Sequence, residues 1–242
     1  MAVPIQSTDD LDKLFNALSA EVVDSYHYYR LFSNINSSIQ EYSQEMNQSN
    51  TFWFFTLRAL REASMFNLCR LYDQEPGSLS LRNLLLIIQE NLQYFSKDDF
   101  RARLKGNAFV DSLAETARVP DSDKLNEDLA YTSTQNPLVK KLIILRHNYY
   151  AHKSVNTTLK NNEILQNIPL SNDEVLELLN RGHEIYNRYL TLFKAQSWSR
   201  MLIGEDDFKN LLNFARVGLR KHEEDFQKEI DFYQQRAPKL DA

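Results

Sequence analysis

The hydrophobic positions near the start of the chain recur at spacings of three and four. Leu11, Leu14 (with Phe15), Leu18, Val22 and Tyr26 form one such stripe, the period of a helix buried along one side. Ser7 stands before it as a cap, and Asp9, Asp10 and Asp12 suit the positive helix end. A polar break around Asn34–Ser38 separates this helix from a second one that reaches Tyr72. The richest part of the second, TFWFFTLRALREASMFNLCRLYD, is aromatic on several faces, as a central helix should be. The Pro-Gly pair in DQEPGS (73–78) marks a turn. Ser80 then caps a helix through LRNLLLIIQENLQYF, and a weaker helix covers Lys97 to about Leu113. The polar stretch ARVPDSDKLNED reads as a loop with one short turn of helix.

The sharpest start signal is Asn136-Pro137. Asparagine is a favoured cap, and proline fits the first helical position, where its missing N–H does no harm. The pattern predicts a helix from Pro137 to about His152, with Leu138, Leu142, Leu145 and Tyr149 on its apolar face. The string KSVNTTLKNNE stops it. Ser171 with Glu174 has the capping-box arrangement and opens a helix to about Ala195, through Val175, Leu178, Leu179, Ile185, Tyr189 and Phe193. The last helix spans Asp206 to about Tyr233, and its charged run RKHEEDFQKE reads as a solvated face. With no candidate strand pair, the expected fold is all-α, one domain over residues 1–242.

Composition agrees. Only 5 glycines and 6 prolines in 242 residues favour long helices over many short strands. The single cysteine, Cys69, excludes an internal disulfide and a cysteine-based zinc site, and leans towards a reducing compartment. The N-terminal MAVPIQSTDDLDK lacks the pattern of a secretory signal. The longest apolar runs, LLLII (84–88) and LIIL (142–145), are far too short to span a bilayer. The expectation is a soluble cytoplasmic protein with no membrane contact.

Charge changes the picture more. The net charge of −5 argues against a broad basic face for coating nucleic acid. Yet no acidic residue lies between Asp128 and Glu163, an interval that holds Lys140, Lys141, Arg146, Lys153 and Lys160 and so carries +5. A phosphate-bearing ligand would be drawn there and repelled elsewhere.

That window contains LRHNYYAHKS (145–154), with Arg146, His147 and His152 crowded together. Histidine titrates near neutrality and can take the proton of a 2′-hydroxyl or give one to a leaving oxygen. The arginine fork matches two phosphate oxygens and can hold the extra charge of a pentacoordinate transition state. The chemistry this pair suits is metal-free RNA cleavage. On a straight helix Arg146 and His152 face about 120° apart and rise about 9 Å. They meet at one phosphate only if the helix distorts near its end, or if a second subunit supplies the partner across a two-fold axis. Asn148 shares a face with His152 and could orient its ring, and Tyr150 shares a face with Arg146. Lys140, Lys141, Lys153 and Tyr150 are the candidate RNA and phosphate contacts.

Other candidates are weaker. His27, His183 and His222 are isolated in helices and read as surface or half-buried residues. No usual zinc spacing, P-loop or dinucleotide fingerprint is present, so neither metal nor cofactor is expected. Phe52, Trp53, Phe54 and Phe55 suit core or dimer packing better than base stacking.

The segment 146–152 resembles the Arg-x(4–6)-His motif of the HEPN superfamily, helical domains many of which are ribonuclease toxins or defence effectors. His147 holds the position after the arginine that is commonly polar. LREASMFNLCRLYDQEPGSLSLRNLL (60–85), followed by LIILRHNYYAHKS, is similar to the abortive-infection U-type subgroup. The resemblance spans roughly 52–193 and implies a HEPN-like helical bundle with additional N- and C-terminal helices. It also implies a homodimer acting on RNA with Arg146 and His152 as catalytic residues, and an antitoxin or regulatory protein as a candidate partner. Some HEPN proteins place a tyrosine two positions after the histidine; Ser154 stands there, so that role does not carry over. Three readings fit: a dimeric endoribonuclease of the defence type, a HEPN-like domain that binds nucleotide or RNA without cutting it, and a helical module whose basic segment binds an acidic partner.

Overall fold

A computed structural model describes residues 5–150 and 170–236. Every regular element among them is helical and none is a strand. We number the helices α1 (Thr8–Ser38), α2 (Ser43–Asn47), α3 (Asn50–Leu71), α4 (Leu81–Glu90), α5 (Lys97–Arg103), α6 (Val110–Ala114), α7 (Ser122–Tyr131), α8 (Pro137–Leu145), α9 (Asn172–Lys194) and α10 (Phe208–Arg236). A 3₁₀ turn covers Leu92–Phe95, and a π-helical turn covers Arg146–Tyr150. The chain packs as two compact units, one of Met1–Tyr28 with Glu62–Met201, the other of Tyr29–Arg61 with Leu202–Ala242.

The first unit is a helical bundle centred on α9. Its start is fixed by the expected capping box: Ser171 Oγ accepts from Glu174 N at 3.1 Å, while Glu174 Oε2 accepts from Ser171 N at 2.8 Å. From there α9 buries Val175, Leu178, Leu179, Ile185, Tyr189 and Phe193, the stripe read from the sequence. Each large apolar side chain removed from water contributes about 1.5–3 kcal/mol. Phe193 stacks on Phe15 of α1 at 5.2 Å, and Tyr186 donates its hydroxyl hydrogen to the Phe15 carbonyl at 2.7 Å. Gly182 lets α3 approach closely, since a Cβ there would stand 3.0 Å from Leu71 and 3.2 Å from the Tyr72 hydroxyl. Asp128 of α7 is fully buried and accepts from Arg181, Arg188 and Tyr189 of α9. Its charge is tolerated because it is paired and hydrogen-bonded.

Several element boundaries shift from expectation. α1 continues through Ser38, without the break expected at Asn34–Ser38. α4 ends at Glu90, because Asn91 leaves helical geometry and donates its side-chain amide back to the Ile87 carbonyl at 2.8 Å. The weaker helix divides into α5 and α6 around Gly106, whose φ of +97° suits glycine. The expected loop instead contains α7, whose cap Asp121 accepts from Lys124 N at 2.8 Å.

The second unit packs Ile35, Tyr42, Met46 and Leu212 together, with Trp53, Leu57, Leu60 and Phe208 against them. Arg216 of α10 pairs with Glu45 of α2 at 2.5 Å and lies 4.5 Å over the Tyr42 ring. The aromatic run, expected to serve core or dimer packing, divides. Trp53 packs inward, but Phe52, Phe54 and Phe55 are 60%, 59% and 57% exposed, because four consecutive residues cannot share one helix face. The charged run of α10 is exposed.

Candidate functional site

The site grows from the start of α8. Asn136 Oδ1 accepts from Leu138 N at 2.8 Å, and Pro137 follows at the first helical position. α8 then buries Val139, Leu142 and Leu145 and packs on α9. Of the predicted apolar face, Leu142 and Leu145 are buried, Leu138 is half-buried and Tyr149 is 43% exposed. The reason lies in the backbone. At Arg146 the α-helix widens into the π-helical turn, which breaks the register that would have carried Tyr149 inward. The Asn148 side chain donates to the Ile144 carbonyl at 2.7 Å, a local bond that competes with the regular helical ladder.

Arg146 is the best-defined member. Its Nη1 and Nη2 each stand 2.9 Å from an oxygen of Asp73, one pairing with Oδ1 and the other with Oδ2. Both side chains are largely covered, at 22% exposed for Arg146 and 11% for Asp73. Asp73 is fixed in turn, because Oδ1 also accepts from Glu75 N at 3.1 Å within the 73–78 turn. A guanidinium has five N–H donors, so this end-on clamp leaves its Nε side for a second acceptor.

The other candidates divide. His147 and Lys140 are exposed, and Tyr150 is half-buried with its ring 4.9 Å from that of Tyr149. Lys141 is engaged by Glu174 of α9 at 2.5 Å, which holds the Glu174 carboxyl below its usual range. The acid-free window is therefore not acid-free in space, since Asp73 and Glu174 arrive from other elements and neutralise two of its cations. Asn148 directs its amide towards Ile144. His152 and Lys153 lie outside the described residues.

Cys69 lies buried near the clamp, its thiol pushed up to about 12 by burial despite the Arg146 charge, so it is no nucleophile at neutral pH. His183 departs from expectation, being only 5% exposed. Burial and the Arg200 charge depress its pKa to about 4. Among the described residues no group of three or more His, Cys, Asp or Glu could hold a metal ion, and no helix is long and apolar enough to cross a membrane.

Asp73 is the member that sequence reasoning missed. The Pro-Gly turn was legible, and an aspartate opening such a turn is a common device. Nothing in the local spacing ties it to an arginine 73 residues away.

Comparison with protein families agrees with the motif: this is a HEPN-type chain. The family model that matches is described as AbiU2 (HEPN_AbiU2) and covers residues 8–214, so the chain belongs to the AbiU2 family of HEPN proteins. The match is wider than the 52–193 stretch that carries the recognisable motifs, and takes in α1 and the beginning of α10. No curated protein and no solved structure matches the chain.

Proposed function

We propose that this protein is a metal-independent endoribonuclease that acts as a toxin or phage-defence effector. The observation that carries the reading is the oriented Arg146. It sits where α8 gives way to the π turn, its terminal nitrogens fixed by Asp73, and its remaining N–H groups are donors suited to phosphate. Six positions on, the sequence supplies His152, and family membership supports pairing the two.

In this mechanism a histidine takes the proton of the ribose 2′-hydroxyl, whose oxygen then attacks the adjacent phosphorus. The bond to the 5′-oxygen breaks, and that oxygen receives a proton from a second histidine. Arg146 neutralises the charge that develops on the non-bridging oxygens. Two chains associated near a two-fold axis would supply two copies of Arg146 and His152 to one cleft. His147 and Asn148 flank the arginine, and exposed Lys140 contributes attraction for the RNA backbone.

The test is incubation of the purified protein with mixed RNA in EDTA, followed by end-group analysis. Fragments should end in 2′,3′-cyclic phosphate, and single-stranded DNA should stay intact. Intact RNA, or DNA cut at a comparable rate, defeats the proposal.

The Asp73–Arg146 pair also favours a second reading, in which Arg146 serves the fold and the domain binds RNA without cutting it. Saturable RNA binding with no cyclic-phosphate product would select it.

A further inference from the structure

The first unit carries a cavity of about 610 Å³ between the first turns of α1, one face of α4 and the turn after Asp73. A volume of several hundred Å³ is the size at which small-molecule sites occur. Leu14, Leu79, Leu86 and Ile87 supply its apolar wall, and the first three remain half-exposed. The wall formed by the turn is braced from behind. Asn83 donates its amide to the carbonyls of Glu75 and Ser78 at 2.9 and 2.8 Å, and Gln74 donates to those of Tyr72 and Thr132 at 2.7 and 2.9 Å. The cavity is thus preformed, which lowers the entropy lost when something fills it.

Its charges do not balance. Asp10 is matched by Lys13 at 3.3 Å on the exposed rim. Arg82 lines the same cavity, is half-buried and donates from Nη1 to the Leu129 carbonyl at 2.8 Å. Among the described residues it has no carboxylate partner in any ion pair. A half-buried guanidinium beside an apolar wall, lacking a counter-charge, favours an incoming anion.

We propose that this cavity binds a small amphipathic anion, its apolar body against the leucines and its carboxylate or phosphate head on Arg82. The proposal does not rest on the Arg146 chemistry, and its test does not depend on RNA cleavage.

Isothermal titration of the full chain with decanoate and decyl phosphate, both below micellar concentrations, should give saturable one-to-one binding. The stronger of the two identifies the preferred head group. 1-Decanol and decyltrimethylammonium should bind at least about tenfold more weakly. Leu86→Trp and Leu14→Trp fill the cavity from opposite walls, and each should weaken decanoate binding about tenfold or more with unchanged helical circular dichroism. Arg82→Gln should bring decanoate and decanol affinities together. Non-saturable uptake, equal binding of the anion and the cation, or wild-type affinity in a folded tryptophan variant would overturn the assignment.

Discussion

Asp73 and Arg146 meet fork to fork, two oxygens against two terminal nitrogens at 2.9 Å each. One partner opens a turn, and the other begins the widened end of a helix. The contact fixes the plane of the guanidinium, so any ligand that Arg146 takes must approach the side that Asp73 leaves.

Removing one member should therefore cost more than the pair is worth. Asp73→Asn leaves a largely covered guanidinium without its counter-charge, and about 2 kcal/mol of stability should be lost. Arg146→Gln should cost a similar amount. The double variant should fall short of the sum by about 1–2 kcal/mol, measured by urea unfolding. Strict additivity would show that the two side chains do not act as an energetic unit.

For the proposed chemistry, His152→Ala should abolish EDTA-resistant RNA cleavage while helical circular dichroism is retained. Arg146→Lys should also be damaging, because an ammonium cannot make the two-pronged phosphate contact. His147→Ala should matter less, since its side chain is exposed and adjacent residues of a helical turn point to different sides. Wild-type cleavage by the His152 variant would remove that residue from the mechanism.

Acid should weaken the first unit through His183. Its ordinary pKa is 6.5, and the folded environment lowers it to about 4. Burial, Arg200 and His27 disfavour the proton, while a hydrogen bond with the Trp198 backbone and the Glu184 charge favour it. Well above pH 6.5 neither the folded nor the unfolded form binds this proton, and stability is flat. As pH falls below 6.5 the unfolded chain takes it first, and about 2 kcal/mol should be lost between roughly pH 7 and pH 5. His183→Gln should remove that slope in urea unfolding across the range. An unchanged slope would assign the acid sensitivity to other groups.

The proposed cleft needs two chains. Light scattering at micromolar concentration should give twice the mass of one chain, with the 137–152 segments near the symmetry axis, the commonest form of association. Lys141 and Arg146 are each paired with a carboxylate of their own chain, so the charge brought together is far below the +10 that two sequence windows would suggest. A monomer that still cuts RNA would show that one chain builds the site alone.

Legibility followed the range of the interactions. Caps are local, and the sequence signals at Ser80, Asn136 and Ser171 match the hydrogen bonds seen there. The α9 stripe was equally plain, because one helix buries nearly every apolar position at its period. What was not legible depends on distant partners. The sequence shows a basic window, whereas folding brings Asp73 and Glu174 into it. His183 looks isolated along the chain, yet α9 buries it beside Tyr26 of α1. The π turn was foreshadowed only as a helix that must distort for Arg146 and His152 to meet.

Glu174 has a consequence beyond its cap. The same carboxylate holds the Ser171 amide and the Lys141 ammonium, so it fastens the beginning of α9 to the middle of α8. The polypeptide running from one to the other is tethered at both ends by groups outside itself. Closure entropy grows only logarithmically with length, at about 0.6 kcal/mol for each doubling. Joining the two helices at this carboxylate therefore closes a loop of the chain at a modest entropic cost. One carboxylate thus sets both where α9 begins and how α8 lies against it.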